Sequence, residues 1–216
     1  MKLHGYFRSS AAYRVRIALN LKGIAWEPVI VDLRAPASAQ HTAQFRTLNP
    51  QQLIPVLQDG DQILTQSLAI IEYLEETHPQ PPLLPRSPAQ RAQVRALALA
   101  VACDIHPLNN LRVLNYLRDP LGLDDATVNA WYAHWIAQGL SALEEHAKRL
   151  SGDGCHTFGS EVTLADVCLV PQMANARRFN CDTRPFPTLG AICAHLETLP
   201  AFARAAPQVQ PDAPAA

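Results

Sequence analysis

The chain lacks most features that would tie it at once to a class of partner. It has no apolar run near the roughly twenty residues needed to span a bilayer. Its 18 basic and 19 acidic residues leave a formal charge of −1, so neither nucleic acid nor an anionic membrane is expected as a partner. The cysteines, Cys103, Cys155, Cys168, Cys181 and Cys193, form no Cys-x-x-Cys pair and are odd in number. That pattern predicts reduced, mostly buried thiols rather than a disulfide framework. The histidines are scattered, with no His-x-x-x-His or Cys/His cluster, and no metal is expected. The opening Met1-Lys2-Leu3-His4 has no apolar signal-peptide core, which makes a cytoplasmic location the expectation. No internal repeat is visible.

What is present is core material: 48% hydrophobic and 17% charged residues across 216 positions, suited to one large domain or two small ones. The chain is organised around Arg8-Ser9-Ser10-Ala11-Ala12-Tyr13-Arg14-Val15-Arg16-Ile17-Ala18-Leu19-Asn20. A short strand over 2–6 precedes it. A helix of about three turns is predicted through it, because Ala11, Val15, Ala18 and Leu19 share a face, with Gly23 able to close it. Ser9 and Ser10 stand where that helix begins. They are either an ordinary N-cap, or an anion site in which a hydroxyl and the helix terminus hold a thiolate.

Val29-Ile30-Val31 predicts a second strand, broken by proline and small residues over 35–38, and 40–48 predicts a short helix. Two apolar runs joined at Asp59-Gly60-Asp61 make a hairpin and hence a mixed sheet. Pro55 heads the first of them, either on an edge strand or as a cis proline that exposes the Ile54 backbone to a ligand. Gln66-Ser67 opens a third helix, with Ser67 as its N-cap. Five prolines over 79–88 mark a boundary. Beyond it the pattern is helical: 89–99, a pause at His106-Pro107, then 108–117. A long helix over 124–150 follows, with Trp131, Trp135, Ile136, Leu140 and Leu143 as core. Thr163-Leu164-Ala165-Asp166 resembles a capping box, opening a helix that Pro171 is expected to kink. A last helix begins at Phe186-Pro187, and the end of the chain is Pro/Ala-rich.

This arrangement resembles the cytosolic glutathione transferase fold over nearly the whole chain. The resemblance implies a thioredoxin-like α/β domain with a mixed sheet over 1–80, an all-α domain over 88–206 and a flexible tail over 207–216. Three motifs resemble the zeta class, which includes maleylacetoacetate and maleylpyruvate isomerases. They are the serine motif above, Asn49-Pro50-Gln51-Gln52-Leu53-Ile54-Pro55, and Gln66-Ser67-Leu68-Ala69-Ile70-Ile71-Glu72-Tyr73-Leu74. His106-Pro107-Leu108-Asn109-Asn110, Leu164-Ala165-Asp166 and Ala176-Arg177-Arg178-Phe179 add to them. The serine motif is specific to the class; Ile-Pro and Gln-Ser identify only the fold.

The resemblance implies roles residue by residue. Ser9, with Ser10 beside it, would hydrogen-bond the sulfur of glutathione. Ile54 before Pro55 would pair with the cysteinyl unit, and Gln66 and Ser67 would hold the γ-glutamyl end. Gln52 and His106 are candidates for the glycine end or for bridging water. Arg8 and Arg178 would receive the carboxylates of a dicarboxylic substrate, although Arg178 also suits a plain helix C-terminus. Many zeta members carry cysteine where this chain has Ala11, so the thiol chemistry falls on the serines and glutaredoxin-like redox chemistry is disfavoured. The implied reaction is cis–trans isomerisation of a maleyl substrate by thiolate addition, rotation and elimination. A thiol of pKa about 8.5 lowered to about 6.5 needs roughly 2.7 kcal/mol in favour of the thiolate. One or two hydroxyl donors with a helix terminus are enough, since a hydrogen bond to a charged group contributes about 1.5–3 kcal/mol. The alternatives are a transferase that conjugates electrophiles, using the same serines without paired arginines, and a non-catalytic binding protein on the same fold. A homodimer is expected by analogy of fold.

Overall fold

The computed structural model describes residues 1–34 and 38–214, and they divide into two units: Met1–Pro82 with Leu199–Ala216, and Leu83–Thr198. Most of the expected break after the second strand (Ala35, Pro36, Ala37) lies outside the described residues. No helix among the described residues is long and apolar enough to cross a membrane.

The first unit is a four-stranded mixed sheet in the order β2-β1-β3-β4. β1 (Lys2–Gly5) pairs in parallel with β2 (Glu27–Ile30) and antiparallel with β3 (Val56–Asp59), which forms a hairpin with β4 (Gln62–Thr65). Gly60 takes φ 56° in the turn, a conformation that costs glycine nothing. Side chains alternate across the sheet, so each face takes its own helix. Leu3 and Gly5 face α1 (Ser10–Leu21), where a Cβ on Gly5 would lie 3.3 Å from that of Ala12. Val56, one residue out of phase with Leu57, faces the other way and packs with Phe45 of α2 (Ala43–Leu48). α3 (Ser67–Thr77) lies against α1 and buries Ile70, Ile71 and Leu74.

The division differs from the one expected. The first unit runs through Pro82, and the end of the chain returns to it through α9 (Pro200–Ala203), a helix absent from the sequence reading. Polar anchors hold this segment together with the buried Phe202 and Ala205. Asn20 Nδ2 donates to Ala201 O at 3.0 Å, Arg16 Nε to Ala205 O at 2.9 Å, and the Phe7 N–H to Asp212 Oδ2 at 2.9 Å. Up to Pro214 it is a bonded strap, not a loose tail.

In the second unit, α4 (Pro88–Leu99) starts with proline in its first turn, continues as a π-helical turn over Ala100–Ile105, and stops at His106-Pro107. α5 (Leu111–Arg118) and α6 (Asp125–Leu150) follow, with Asn110 and Asp124 as N-caps. Along α6 the buried residues are Val128, Tyr132, Ile136, Leu140, Leu143, Glu144 and Ala147. Trp131 and Trp135 are only half-buried, and the Trp131 indole N–H donates to Leu108 O at 2.9 Å, so the expected tryptophan core is a rim. α6 crosses the π-helical turn closely at Gly139, where a Cβ would sit 2.2 Å from Ile105 Cγ1. α7 (Leu164–Arg178) is buried from Leu164 to Met173, with Pro171 inside it. Asp166 closes its capping box by accepting the Thr163 N–H at 2.8 Å, and it also takes the Thr157 N–H and hydroxyl at 2.7 and 2.6 Å. α8 (Pro187–Thr198) has its first N–H groups bound by the buried Glu144 carboxylate, at 3.0 Å from both Thr188 and Leu189.

One buried ion pair secures the first unit. Lys22 Nζ, fully shielded, donates to Glu75 Oε2 at 2.8 Å and to the carbonyls of His78 and Pro81 at 2.7 and 3.1 Å. Lys22→Met removes the ammonium from that carboxylate and from two carbonyls. It is expected to lower the free energy of unfolding by about 3–5 kcal/mol, read by urea denaturation; an unchanged midpoint would refute this.

Candidate active site

The strand register gathers the first group of candidates. β3 runs antiparallel to both neighbours, so the C-terminal ends of β1 and β4 meet the N-terminal end of β3, with His4 opposite Val56 and Val56 opposite Thr65. Residues just beyond those ends therefore share one end of the sheet: the turn at 6–9 after β1, Ile54 and Pro55 before β3, and Gln66 and Ser67 after β4. Both α1 and α3 begin there.

The turn at 6–9 is closed by the Ser9 N–H on Tyr6 O at 3.0 Å. Ser9, with extended backbone, is the N-cap of α1, and its Oγ accepts the Ala12 N–H at 3.2 Å. That bond uses a lone pair of the hydroxyl and leaves its proton for donation. Capping and anion binding are thus compatible at this residue. Ser10 is buried at the first helical position. Arg8 is exposed beside them, its guanidinium 5.0 Å from the centre of the Phe7 ring and one Nη 3.2 Å from the Tyr6 hydroxyl.

The Ile54–Pro55 peptide is cis. Ile54 lies just outside β3, and its own N–H and C=O make no hydrogen bond among the described residues. Gln52 (φ 57°) has its side chain 2.8 Å from His41 Nδ1. Gln66, not Ser67, is the N-cap of α3, at φ 66° and ψ 114°, and no side chain caps the helix. A non-glycine residue there costs about 1–3 kcal/mol, an outlier that points to function. Ser67 is the first helical residue; its Oγ, 7% exposed, accepts from Arg14 Nη1 at 3.3 Å instead of capping. An uncapped helix start with a hydroxyl beside a buried arginine is chemically a carboxylate receptor.

Arg14 and Arg16 were missed in the sequence reading. Both are buried on α1, 1% and 3% exposed. The signal was available: two basic residues inside a helix that reads as core. Arg16 donates to the Tyr6 and Phe7 carbonyls at 3.5 and 3.1 Å, and burial lowers its pKa to about 10.

His106 and Arg178 belong to the second unit. His106, half-buried, ends the π-helical turn, its N–H on Val101 O at 2.9 Å. Arg178 is exposed at the end of α7, where Nη2 donates to Asn175 Oδ1 at 2.7 Å and the guanidinium lies 4.5 Å from the centre of the Phe179 ring. Asn175 in turn donates to the Tyr132 hydroxyl, whose pKa burial raises. No cluster of three or more metal-ligating side chains occurs among the described residues.

One end of the sheet in the first unit thus presents three features: a hydroxyl with free helix N–H groups, an open backbone pair at Ile54, and a carboxylate receptor at the start of α3. The glutathione S-transferase N-terminal domain family matches residues 3–82. A probable maleylacetoacetate isomerase of Vibrio cholerae is 56% identical over 98% of this chain and 97% of its own. A solved holo maleylpyruvate isomerase, a bacterial zeta-class glutathione transferase, superposes with TM-score 0.96 at 48% identity, covering 99% of this chain and 100% of its own. A maleylacetoacetate isomerase from Methylobacterium extorquens, solved with malonate and glutathione, gives 0.95 at 45% identity with full coverage of both chains. The fold and these relatives define a glutathione transferase. Within that family, the chain belongs to the zeta class, among the maleylacetoacetate and maleylpyruvate isomerases.

Proposed function

We propose that the chain is a glutathione-dependent cis–trans isomerase of a maleyl dicarboxylate, giving the fumaryl product in aromatic catabolism. The observation that carries this is the turn at 6–9, which delivers Ser9 at the start of α1 with the Arg8 cation adjacent. The Methylobacterium relative, solved with bound malonate and glutathione, supports a protein that takes both a dicarboxylate and this cofactor. Bound glutathione supplies a thiolate that lowers the alkene bond order for rotation and leaves afterwards.

The residues of the chain prepare that chemistry. Ser9 donates its hydroxyl proton to the sulfur, and the N–H groups at the start of α1 add the helix dipole. Such a bond contributes about 1.5–3 kcal/mol and the dipole about 0.3–1, matching the roughly 2.7 kcal/mol that a two-unit fall in thiol pKa requires. Ser10 is the second hydroxyl. Ile54, before Pro55, pairs with the cysteinyl unit, and Gln66 and Ser67 take the γ-glutamyl carboxylate and amine. Gln52 and His106 serve the glycine end. Arg8 and Arg178 receive substrate carboxylates, and Arg8 also balances negative charge that develops on the substrate. Five free cysteines fit a reducing cytoplasm. A homodimer rests on likeness of fold; a monomeric mass by sedimentation across micromolar concentrations would overturn it.

Ser9→Ala is expected to lose most turnover while glutathione still binds, because Ile54 and Ser67 hold the tripeptide elsewhere. Full turnover in Ser9→Ala with none in Ser10→Ala would assign the thiolate to the other serine.

Arg178 separates isomerase from conjugating transferase. Arg178→Met is expected to raise KM for a maleyl substrate and lower kcat/KM by about ten- to a thousandfold, the scale of a charge-assisted contact. Turnover of an uncharged chloro-aromatic electrophile should change little. Arg8→Met should cost kcat as well. Equal losses of Arg178→Met on both substrates would instead mean that Arg178 supports the fold or glutathione, and the isomerase reading would lose that support.

A further inference from the structure

The returning chain end grips the turn that carries the serines. Phe7, the second residue of that turn, has both polar groups of its backbone held from behind. Its N–H donates to Asp212 Oδ2 at 2.9 Å, and its C=O accepts from Arg16 Nη2 at 3.1 Å. Arg16 is itself fixed to the same segment through Ala205 O at 2.9 Å. The segment is braced within: Gln210 Nε2 donates to the carbonyls of Arg204 and Ala206 at 3.0 and 2.9 Å, and the Ala213 N–H to Gln210 O at 3.0 Å. The Asp212 carboxylate also lies within electrostatic reach of the Arg16 and Arg34 guanidinium groups.

We infer that Asp212 is a positioning residue of the thiol site: by pinning the Phe7 N–H it fixes the turn at 6–9 and hence the Ser9 hydroxyl. The inference rests on Ser9 as the donor to the glutathione thiolate. Asp212 bonds to Phe7, two residues before Ser9, and so acts on the turn rather than on the reacting atoms. Without that acceptor the backbone of Phe7 keeps only its carbonyl bond to Arg16, and its N–H must find water. The turn then gains freedom where Ser9 Oγ needs a narrow range of distance and angle. Ile54, Gln66 and Ser67 sit on other loops and keep their hold on the tripeptide. Loss of Asp212 should therefore act on turnover and thiol acidity more than on glutathione affinity.

The test compares Asp212→Ala, Asp212→Asn, Ser9→Ala and the double variant Ser9→Ala/Asp212→Ala. It reads kcat and the KM for glutathione with a maleyl substrate, the pKa of bound glutathione by thiolate absorbance, and melting temperature. Asp212→Ala is expected to lower kcat by about tenfold, as slight misplacement of a catalytic group does, with KM for glutathione changed by less than about twofold. The bound thiol pKa should rise by about 0.5–1 unit, the counterpart of a weakened donor. Asp212→Asn, which keeps an acceptor oxygen, should return kcat to within about threefold of the unsubstituted chain. In the Ser9→Ala background Asp212→Ala should have little further effect, because the group it positions is gone. An unchanged kcat and thiol pKa in Asp212→Ala, even with a lowered melting temperature, would overturn the inference. So would an undiminished loss in the Ser9→Ala background, or a failure of Asp212→Asn to restore kcat. Full turnover in Ser9→Ala would instead overturn the underlying reading of Ser9, whatever Asp212 does.

Discussion

The first N–H groups of α1 have no carbonyl one turn back, and the site depends on how that deficit is met. Ser9 Oγ satisfies the Ala12 N–H and stops there. The remaining groups, with the dipole behind them, form a weak cationic end that suits a thiolate better than a neutral thiol. A bound carboxylate side chain would have quenched that end, yet α1 carries no acidic residue in its first turn. The start of α3 repeats the arrangement without even a capping side chain. The sheet register then places the two anion-seeking helix ends together, because β3 runs against both its neighbours. A fully parallel sheet of the same strands would have sent Ile54 and Pro55, ahead of β3, to the opposite end.

Much of this was legible because it depends on short-range chemistry. Asp59-Gly60 specifies a hairpin, the hairpin makes the sheet mixed, and the serine motif marks a helix start whatever surrounds it. What was lost depends on partners distant in sequence. Ser67 reads as an N-cap by residue type, but Arg14 engages its hydroxyl and the cap passes to Gln66 in a backbone conformation no propensity favours. The tryptophans of α6 have helical spacing, but Trp131 turns its indole N–H to the Leu108 carbonyl and stays half-buried. Nothing in a Pro/Ala-rich ending announces a strap, since Asn20, Arg16 and the Phe7 amide hold it from nearly two hundred residues away or more.

Ala11 shows how little the thiol chemistry asks of the third position. It is buried with no polar group to offer, so it adds only packing to the start of α1. A cysteine there would bring a second thiol to the same dipole, and with it competition for the cationic end and a route to mixed disulfides. Alanine removes that side chemistry and leaves the stabilisation to hydroxyl and helix, which the energetics above allow.

The cost of this design falls on α1, which buries two guanidinium groups in an otherwise apolar helix. Arg16 shows how such a charge is tolerated. Burial lowers its pKa to about 10, so it stays protonated at neutral pH, and its donors meet the carbonyls of Tyr6, Phe7 and Ala205 rather than a carboxylate. Carbonyl dipoles solvate the charge, and the Asp212 carboxylate lies within electrostatic reach of it. Arg14 places a second guanidinium at Ser67, near the other anion-binding end. In the proposed function one helix would therefore reach two parts of a glutathione molecule: its own N-terminus and the Arg16-braced turn would address the sulfur, and Arg14 would address the γ-glutamyl carboxylate through Ser67. Two buried cations that weaken α1 as a core helix are, on this reading, what make it the organiser of the site.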